Sequence, residues 1–381
     1  MNVEKFNEEI DKVIKLIRKG YQREYILKKI NEKYFSKQKI FEIAKCRIKA
    51  RKKFGEMASF LFFDEEGLRY STPPVIAEYR AKRLKSHVIA DISCGVGCQL
   101  IYFSKYSNRA IGVEIDGNRI KLAKLNMLSL NIENVEIMKG DALDEKIFKK
   151  IDATCIFSDP SRKEKEKKKF KNLSPNPLKV YEKYKEKVDR IAFELPPQME
   201  KKEIKLKGEK EYTSLNFSLN RLALYMNELS TCNVSAVSLP SMERITDLDD
   251  YMELEKKMKI REYVYEVDYT IVKAGLIENL AGKICFDGNI LNINKRCLLS
   301  SSSSYSSSFF RKYKVVKICN FEFYELNKIL KKLNAKKAII RFFVEPKNYW
   351  KIRNKIEEGL KGENTYYIFK IKNKAIIGSK V

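Results

Sequence analysis

The chain has 381 residues, of which 44% are hydrophobic and 33% are charged, so two or three compact domains with ordinary cores are expected. Its 77 lysines and arginines against 50 acidic residues give a net charge of +27, which indicates either a polyanionic partner such as nucleic acid or a lysine-rich proteome. Eight scattered cysteines without a C-x-x-C pair, together with a single histidine, exclude a zinc site of usual spacing, and no metal is expected. Because no apolar run has the length of a membrane span and the N-terminus lacks the apolar core of a secretory signal, a cytoplasmic protein without membrane contact is predicted.

Residues 1–84 are predicted to be helical. Apolar side chains recur at helical spacing from Val3 to Ile17, and Gly20 is the expected end of that helix. A second helical pattern over residues 40–48 overlaps a run of lysines and arginines at 45–53. The basic run is interpreted either as a solvated helix face or as a surface for phosphate groups.

Residues 85–240 show a different pattern, in which short apolar segments alternate with helical ones. The apolar segments read VIADIS, AIGVEI, VEIMKG, ATCIFSDP, RIAFELPP and SAVSLP. Strands that alternate with helices predict crossover connections and a parallel sheet that is covered on both faces.

The remaining residues form two further predicted pieces. Residues 241–310 have a mixed pattern and contain a serine tract at 300–308, which is expected to be a flexible loop without chemistry. Residues 311–381 alternate strand and helix patterns, which predicts two helices against a small antiparallel sheet.

The strongest functional signal is VIADISCGVGC, where a strand ends at Asp91 and a glycine pair turns the chain into the next helix. Gly95 and Gly97 allow a sharp turn and the close approach of a ligand to the backbone. A dinucleotide-binding fingerprint requires a further glycine where this chain has Leu100. The acid at position 91 instead suits a ligand with a positively charged amino group and a sulfonium, such as S-adenosylmethionine.

Further acids follow in order at the predicted ends of strands. Glu114 is placed to accept both ribose hydroxyls of that cofactor. Asp141 is placed to bond an adenine amino group, with Ala142 leaving room for the ring, and Asp159 ends the fourth strand. Because open α/β sheets bind ligands at the carboxyl ends of their strands, the series predicts an S-adenosylmethionine-dependent methyltransferase.

The motifs DISCGVG, GVEID, GDAL and SDPSR resemble those of class I S-adenosylmethionine-dependent methyltransferases. The segments GLRYSTPP, EVDYTIVKAGLIENLA and FFRKYKVVK, outside that core, resemble one subfamily that has a C-terminal THUMP-like domain. The resemblance covers most of the chain from about residue 45 onward. It implies a Rossmann-like α/β core at 85–240, a helical N-terminal region at 1–84 and two small α+β domains, ferredoxin-like at 241–310 and THUMP-like at 311–381.

The resemblance also implies roles for individual residues. The residues expected to bind the cofactor are Thr72, Asp91, Ser93, Cys94, Gly95, Gly97, Glu114, Ile115, Asp141, Ala142 and Asp159. The candidate catalytic residues, in the loop after the fourth strand, are Asp159, Pro160, Ser161 and Arg162. Because THUMP-type modules accompany RNA-modifying enzymes, the resemblance implies an RNA partner, such as tRNA or rRNA.

The loop that begins with Asp159 bears on the acceptor atom. It keeps the first two residues of the Asp/Asn-Pro-Pro-aromatic loop of exocyclic-amine methyltransferases but has arginine in place of the aromatic. Uracil-C5 methyltransferases need a nucleophilic cysteine after the fifth strand, where this chain reads RIAFELPPQME. Methylation of a base nitrogen is therefore the first hypothesis. A protein or small-molecule methyltransferase, or a non-catalytic RNA-binding protein that retains the cofactor fold, are the alternatives.

Two further groups of residues flank this site in the sequence. The lysine-rich residues 163–171 are interpreted either as a mobile solvated loop or as a lip that guides phosphate groups. Cys94 and Cys98 in the glycine turn, and Cys155 within a strand, are expected to be packing residues.

Overall fold

The computed structural model describes residues 2–31, 34–161, 169–294 and 296–381. The described residues divide into two compact units. The N-terminal unit consists of Met1–Lys210 and Leu222–Thr231, and the C-terminal unit consists of Glu211–Arg221 and Cys232–Val381. The domain boundaries that the sequence suggests at residues 84, 240 and 310 stay predictions.

The N-terminal unit begins with helices. Helices α1 to α5 are Val3–Arg18, Arg23–Lys29, Lys37–Phe54, Glu65–Tyr70 and Pro74–Arg83. Polar side chains cap several of them: Asn2 accepts a hydrogen bond from the Lys5 N–H, and Ser36 does the same at the start of α3. The predicted first helix is confirmed, and it ends ahead of Gly20, which has the positive φ that glycine tolerates.

The rest of this unit alternates strands and helices. Strands β1 to β5 are Val88–Asp91, Arg109–Glu114, Val135–Lys139, Cys155–Ser158 and Arg190–Leu195. The helices between them, α6 to α9, are Leu100–Tyr106, Gly117–Ser129, Glu145–Lys150 and Pro177–Tyr184. Strands β6 (Glu209–Leu215) and β7 (Leu219–Asn227) come next in the chain. Short 3₁₀ helices occur at Gly55–Phe60, Phe170–Asn172, Lys201–Glu203 and Pro346–Asn348.

The sheet of the N-terminal unit has the order β3-β2-β1-β4-β5, with all neighbours parallel, and β5 then pairs with β7 in the antiparallel sense. The predicted Rossmann-like α/β architecture is confirmed. The chain order reverses at β1, which lies between β2 and β4, and in open α/β sheets ligands bind at the carboxyl ends of the strands at such a point.

One continuous core joins the N-terminal helices to this sheet. Phe6 and Ile43 from the first helices are buried in the same cluster as Phe62, Phe103 and Phe157. Two members of the basic run also belong to the interior framework. Arg47 is buried and donates to the Leu61 carbonyl, and Lys53 donates to the Leu68 and Ser71 carbonyls. These two side chains are therefore neither part of a solvated face nor available for phosphate.

The C-terminal unit is rich in sheet. Its further strands, β8 to β16, are Val234–Leu239, Glu243–Thr246, Tyr263–Val267, Asn289–Asn292, Leu298–Ser301, Phe310–Asn320, Ala335–Ile340, Asn364–Ile371 and Lys374–Lys380. Its helices, α10 to α13, are Tyr269–Ala274, Ile277–Lys283, Phe323–Lys332 and Tyr349–Glu357. A mixed sheet in this unit has the order β11-β12-β10-β13-β16-β15-β14.

Two expectations for this unit are wrong. Residues 311–381 do not form a purely antiparallel sheet, because β14 and β15 are parallel, and helix α13 supplies the crossover that parallel neighbours require. The expectation that the whole serine tract is a loop is wrong at its start, because residues 302–308 lie outside the strands but Ser300 and Ser301 do not. Ser300 and Ser301 are fully buried in β12, and the Ser300 hydroxyl donates to the Tyr263 carbonyl at 2.9 Å. Farther along, the Ser307 hydroxyl donates to Glu243 at 2.8 Å.

Within the described ranges, no helix combines the length and apolar content needed to cross a membrane. No group of His, Cys, Asp or Glu side chains in that part of the chain is arranged to hold a metal ion.

Candidate cofactor site and active site

The predicted acids lie at neighbouring strand ends. Asp91 is the last residue of β1 and Glu114 the last of β2, while Asp159 directly follows β4. Asp141 comes two residues after the end of β3. Since β1 lies between β2 and β4, the sheet places Asp91, Glu114 and Asp159 at adjacent carboxyl ends. We call these three residues the acidic group.

The glycine turn between β1 and α6 has two different faces. Gly95 and Gly97 both have positive φ, 54° and 80°, a conformation that L side chains rarely adopt. A Cβ on Gly95 would meet nothing within 4 Å, whereas one on Gly97 would lie 3.2 Å from the Ala123 Cβ and 3.3 Å from the Met127 Cε. Gly97 therefore packs on α7, and Gly95 faces open space that a ligand can fill.

Backbone N–H groups hold the Glu114 carboxylate in place. One oxygen accepts from the Gly95 N–H at 3.0 Å, and the other accepts from the N–H groups of Ile115 and Asp116, each at 2.9 Å. A carboxylate can accept about four hydrogen bonds, so capacity for a further donor remains. The adjacent Ile115 side chain is 68% exposed, which is unusual for an isoleucine beside a buried strand end.

Ser93 connects Asp91 to Asp159. Asp91 accepts from the Ser93 N–H at 3.1 Å, and the Ser93 hydroxyl oxygen accepts from the Asp159 N–H at 2.7 Å. Asp91 is only 2% exposed. Burial raises its pKa to about 7, the Ser93 N–H opposes that rise, and the neighbouring charges of Asp159 and Glu114 add to it. The positive charge of Arg80 lowers the pKa of Asp91 in turn.

A buried arginine organises the elements around the acidic group. Arg80 of α5 is 2% exposed and forms an ion pair with Glu194 of β5. It also donates to Gln99 at 3.0 Å and to the Thr72 hydroxyl at 3.5 Å, and its guanidinium carbon lies 4.7 Å from the centroid of the Phe157 ring. One side chain thus connects the GLRYSTPP segment, the glycine turn and strands β4 and β5.

Sequence reasoning missed Arg80 and Glu194, although both leave a recognisable signal. In PVIAEYRA the arginine shares a helix face with buried Ala77 and Ala81, and in RIAFEL the glutamate interrupts an otherwise buried strand. Opposite charges within two apolar segments indicate a buried ion pair, because neither charge is stable there alone.

The other predicted residues surround this group less directly. Asp141 is exposed and accepts from the Leu143 N–H at 2.8 Å, while the Ala142 carbonyl accepts from the Tyr184 hydroxyl at 2.7 Å. Across the described ranges, no hydrogen bond or ion pair joins Asp141 or Ala142 to the acidic group. Their assignment to the cofactor stays a prediction.

The loop after Asp159 is described only at its start. Pro160 is buried, and Ser161 is exposed and exchanges two backbone hydrogen bonds with Ser174, each 2.8 Å long. Arg162, predicted to be catalytic, and the lysine-rich residues 163–168 lie outside the described residues.

Asn126 of α7 ties the helical region to the glycine turn. It is fully buried, exchanges hydrogen bonds of 2.7 and 3.1 Å with the Phe62 backbone, and donates to the Val96 carbonyl at 2.8 Å. A Cβ on Gly67 would also lie 2.7 Å from a Val96 methyl group. The segment before α5 therefore packs directly on the glycine turn.

Comparison with known proteins agrees with this geometry. Residues 86–213, about a third of the chain, match the model of a family described as RNA cap guanine-N2 methyltransferase. An uncharacterized S-adenosylmethionine-dependent methyltransferase of Mycobacterium tuberculosis is 24% identical over 267 residues, which are 64% of this chain and 69% of that protein. The chain is a class I S-adenosylmethionine-dependent methyltransferase.

Two more proteins are similar to this methyltransferase. A solved structure from Porphyromonas gingivalis W83, described as a methyltransferase, has a TM-score of 0.76 and 18% identity, with 97% of each chain covered, and it shows that the whole fold recurs. A tRNA (uracil(54)-C(5))-methyltransferase of Saccharomyces cerevisiae is 34% identical over 101 residues, which are 25% of this chain and 16% of that protein.

The residues of the methyltransferase fit its cofactor. S-adenosylmethionine supplies a methyl group on a positively charged sulfur. The open space beside Gly95 admits a ligand against the backbone, and the acidic group, with its buried Asp91, favours a cationic one.

The cysteines near the site are packing residues, as expected. Cys94, Cys98 and Cys155 are all buried. Burial raises the pKa of Cys98 and of Cys155 to about 12, and it raises the pKa of Cys94 well above its usual value. Because the thiolate is the reactive form, none of these thiols is prepared to act as a nucleophile.

Proposed function

We propose that this methyltransferase transfers a methyl group to a base nitrogen of RNA, with tRNA or rRNA as substrate. The observation that carries the proposal is the position of Asp159. Asp159 directly follows β4, and its charge acts on the buried Asp91. Its backbone N–H donates to the Ser93 hydroxyl, which fixes its position. An acid held next to the methyl donor is what an amine acceptor requires.

The cofactor assignment in this proposal follows the strand ends. Asp91 and the turn of Ser93, Cys94, Gly95 and Gly97 hold the methionine portion, with Thr72 nearby. Glu114 has capacity left to accept from the ribose, and the exposed Ile115 offers an apolar surface for the adenine ring. Asp141 and Ala142 complete the adenine end.

The acceptor is held by the loop that starts at Asp159. The carboxylate accepts a hydrogen bond from the exocyclic or ring amine and takes up its proton as the nitrogen is methylated. Positioning the amine in line with the methyl group provides much of the rate enhancement in such a displacement. At the start of this loop Pro160 is buried, and Ser161 exchanges backbone hydrogen bonds with Ser174.

RNA as the substrate is supported by two independent observations. The net charge of +27 favours a polyanion, and the family whose model matches residues 86–213 is described by a base-nitrogen reaction on RNA. The C-terminal unit, whose last residues are predicted to be THUMP-like, would hold the RNA together with the helical region.

Methylation at uracil C5 is disfavoured despite the similarity to the yeast enzyme. That reaction requires a cysteine to add to the base, and the chain has no cysteine between Arg190 and Thr231. Cys155 precedes this stretch and is buried inside β4.

The test is transfer of a radiolabelled methyl group from S-adenosylmethionine in the presence of total RNA, total protein and small metabolites. Label in the RNA fraction with wild type, and its absence with Asp159→Ala, is the expected result. Label confined to protein identifies a protein methyltransferase, and label confined to metabolites identifies a small-molecule enzyme. Tight RNA binding without any transfer identifies a non-catalytic RNA-binding protein. Each of these three results contradicts the proposal.

A further inference from the structure

Three arginines of the C-terminal unit gather around one glutamate. Arg311 on β13 lies directly opposite Glu266 on β10 in the antiparallel ladder. Arg341, just after β14, forms an ion pair with the same glutamate, with its Nε 3.1 Å from the carboxylate. Arg296 comes two residues before Leu298, which lies opposite Glu266 in the ladder of β10 and β12. Burial lowers the pKa of Arg296, and the positive charges of Arg341 and Arg311 lower it further. We call Arg296, Arg311 and Arg341 the arginine group.

Glu266 balances only part of this charge. Its carboxylate is buried and is engaged by Arg341. Neither Arg296 nor Arg311 forms an ion pair with any residue that the structure describes. The Arg296 Nη1 atom is buried without a hydrogen-bond partner among those residues. Buried donors are almost always satisfied in folded proteins, and an unsatisfied donor on a charged group destabilises the fold. An anion bound here would remove that cost.

A cavity adjoins the arginine group. The guanidinium carbon of Arg311 lies 4.1 Å from the centroid of the Phe217 ring. Phe217 in turn lines an open cavity of about 340 Å³. The other lining residues, mostly small or polar, are Asn216, Ser238, Leu239, Pro240, Ser241 and Ser308. An aromatic ring beside hydroxyl and amide groups suits a nucleoside, which needs both stacking and hydrogen bonds.

We propose that the arginine group and the Phe217 cavity form a nucleotide subsite for the RNA substrate, in which Arg296, Arg311 and Arg341 hold a phosphodiester and the cavity holds the adjoining nucleoside. Guanidinium groups fit phosphate because their planar forks donate paired hydrogen bonds to its oxygens. The subsite rests on the proposed function, since it takes RNA to be the substrate. It adds to that function a defined contact outside the N-terminal unit.

The test measures RNA affinity by fluorescence anisotropy with a short labelled single-stranded RNA over a series of salt concentrations. The Arg296→Gln/Arg311→Gln variant removes two charges from the subsite, and Lys336→Gln/Lys337→Gln removes two exposed charges from β14 as the matched control. We expect the arginine variant to bind about tenfold or more weakly at low salt, with the salt slope reduced by about 0.7 for each lost phosphate contact. The lysine variant should change by less than threefold.

Several results would overturn the subsite. If the arginine and lysine variants lose RNA affinity equally, the effect reflects the overall positive charge of the protein and not a defined subsite. Equal competition by inorganic phosphate and by adenosine monophosphate, with no advantage for RNA, would make the ligand a free anion. The melting temperature of each variant is measured alongside. The RNA affinity of Arg311→Lys, which keeps the charge but cannot stack as a planar group, should fall between those of wild type and the double variant. An Arg311→Lys protein that melts like wild type and binds RNA like wild type would contradict the role of the Phe217 stack.

Failure of the subsite and failure of the proposed function give different readouts. If wild type transfers no methyl group to RNA, the proposed function fails. If wild type methylates RNA and the arginine variant does so with an unchanged KM, only the subsite fails. Cofactor affinity should be the same in all variants, because the arginine group belongs to the C-terminal unit and the acidic group to the N-terminal unit.

Discussion

The acidic group of the N-terminal unit and the arginine group of the C-terminal unit are opposite in charge but alike in construction. In each, buried or half-buried charges of one sign lie at strand ends or on adjacent strands. An ion pair belongs to the interior of each region: Arg80 with Glu194 in the first, and Arg341 with Glu266 in the second. In each, the other members of the group carry charge of one sign. We infer that the ion pair fixes the positions of the side chains in each region, and that the like charges beside it are what a ligand would contact.

The sign of these charges also predicts which ligand each region binds. Burial and the charges of Asp159 and Glu114 raise the pKa of Asp91, so a bound cation would favour its ionised form, which is the behaviour expected of a sulfonium site. The arginine group has the reverse need, which an RNA phosphate would meet in the subsite that we propose.

The largest expected effect is loss of cofactor binding at the acidic group through a change in the glycine turn. Gly97→Trp should abolish measurable cofactor binding, because the ring would collide with Ala123 and Met127 and displace the turn. Gly20→Trp is the matched control, since Gly20 has the same φ of 80° but no neighbour within 4 Å of a Cβ. Calorimetric titration of S-adenosylmethionine into both variants gives the answer, and wild-type heats from Gly97→Trp would refute the assignment of the turn.

The ion pair of Arg80 with Glu194 can be broken next. Arg80→Met leaves Glu194 buried without its partner, so the free energy of unfolding should fall by about 3–5 kcal/mol in urea titration. Arg80→Met/Glu194→Gln should recover at least half of the loss, because no lone charge remains. If Arg80→Met costs less than about 1 kcal/mol, the pair is not part of the framework.

Asp159 separates chemistry from cofactor binding within the acidic group. Asp159→Ala should lower kcat by about 10²–10³-fold while cofactor affinity changes less than fivefold, because the acid acts on the amine. Asp159→Asn, which keeps the shape and an acceptor oxygen, should retain more activity. The kcat of both variants is measured as methyl transfer to RNA at saturating cofactor. Full activity in Asp159→Ala would contradict the catalytic role.

The smallest expected effect is a pH dependence set by Asp91. Its pKa of about 7 in the folded protein lies above the value of about 3.9 for an unfolded chain, so the native state binds an extra proton between these values and stability falls as pH rises through that window. A cationic cofactor favours the ionised form, so affinity should increase up to about tenfold per pH unit below 7 and level off above it. Calorimetry in buffers of different ionisation enthalpy should show proton release on binding. Asp91→Asn should bind weakly and lose most of the dependence, and an unchanged pH profile in that variant would assign it to another group.

Much of the N-terminal unit could be predicted from the sequence. The strands that end at Asp91 and Glu114, and the one before Asp159, are short and fully or almost fully buried, so continuous apolar runs reveal them. Their order along the chain then places the acids at one edge of the sheet. The Arg80–Glu194 pair was missed because a single charge in an apolar run identifies its partner only after the fold brings β5 against α5.

The C-terminal unit was harder to predict for physical reasons. The serines of β12 have no apolar side chain, and they become strand residues because neighbouring backbone carbonyls satisfy their hydroxyls. The parallel pairing of β14 and β15 depends on how α13 crosses the sheet, which periodicity does not specify. The members of the arginine group come from separate parts of the chain. Arg311 lies opposite Glu266 because of the register between β10 and β13, which the sequence pattern does not specify.

The central claim is that this methyltransferase modifies a base nitrogen of RNA, and the most direct test is the identity of the methylated nucleoside. Total RNA is incubated with wild type or Asp159→Ala and a cofactor with a deuterated methyl group, then digested to nucleosides and analysed by mass spectrometry. The account predicts a deuterated N-methyl nucleoside that forms with wild type and not with the variant. A deuterated 5-methyluridine, or the absence of deuterium from every RNA nucleoside while the cofactor is consumed, would contradict it.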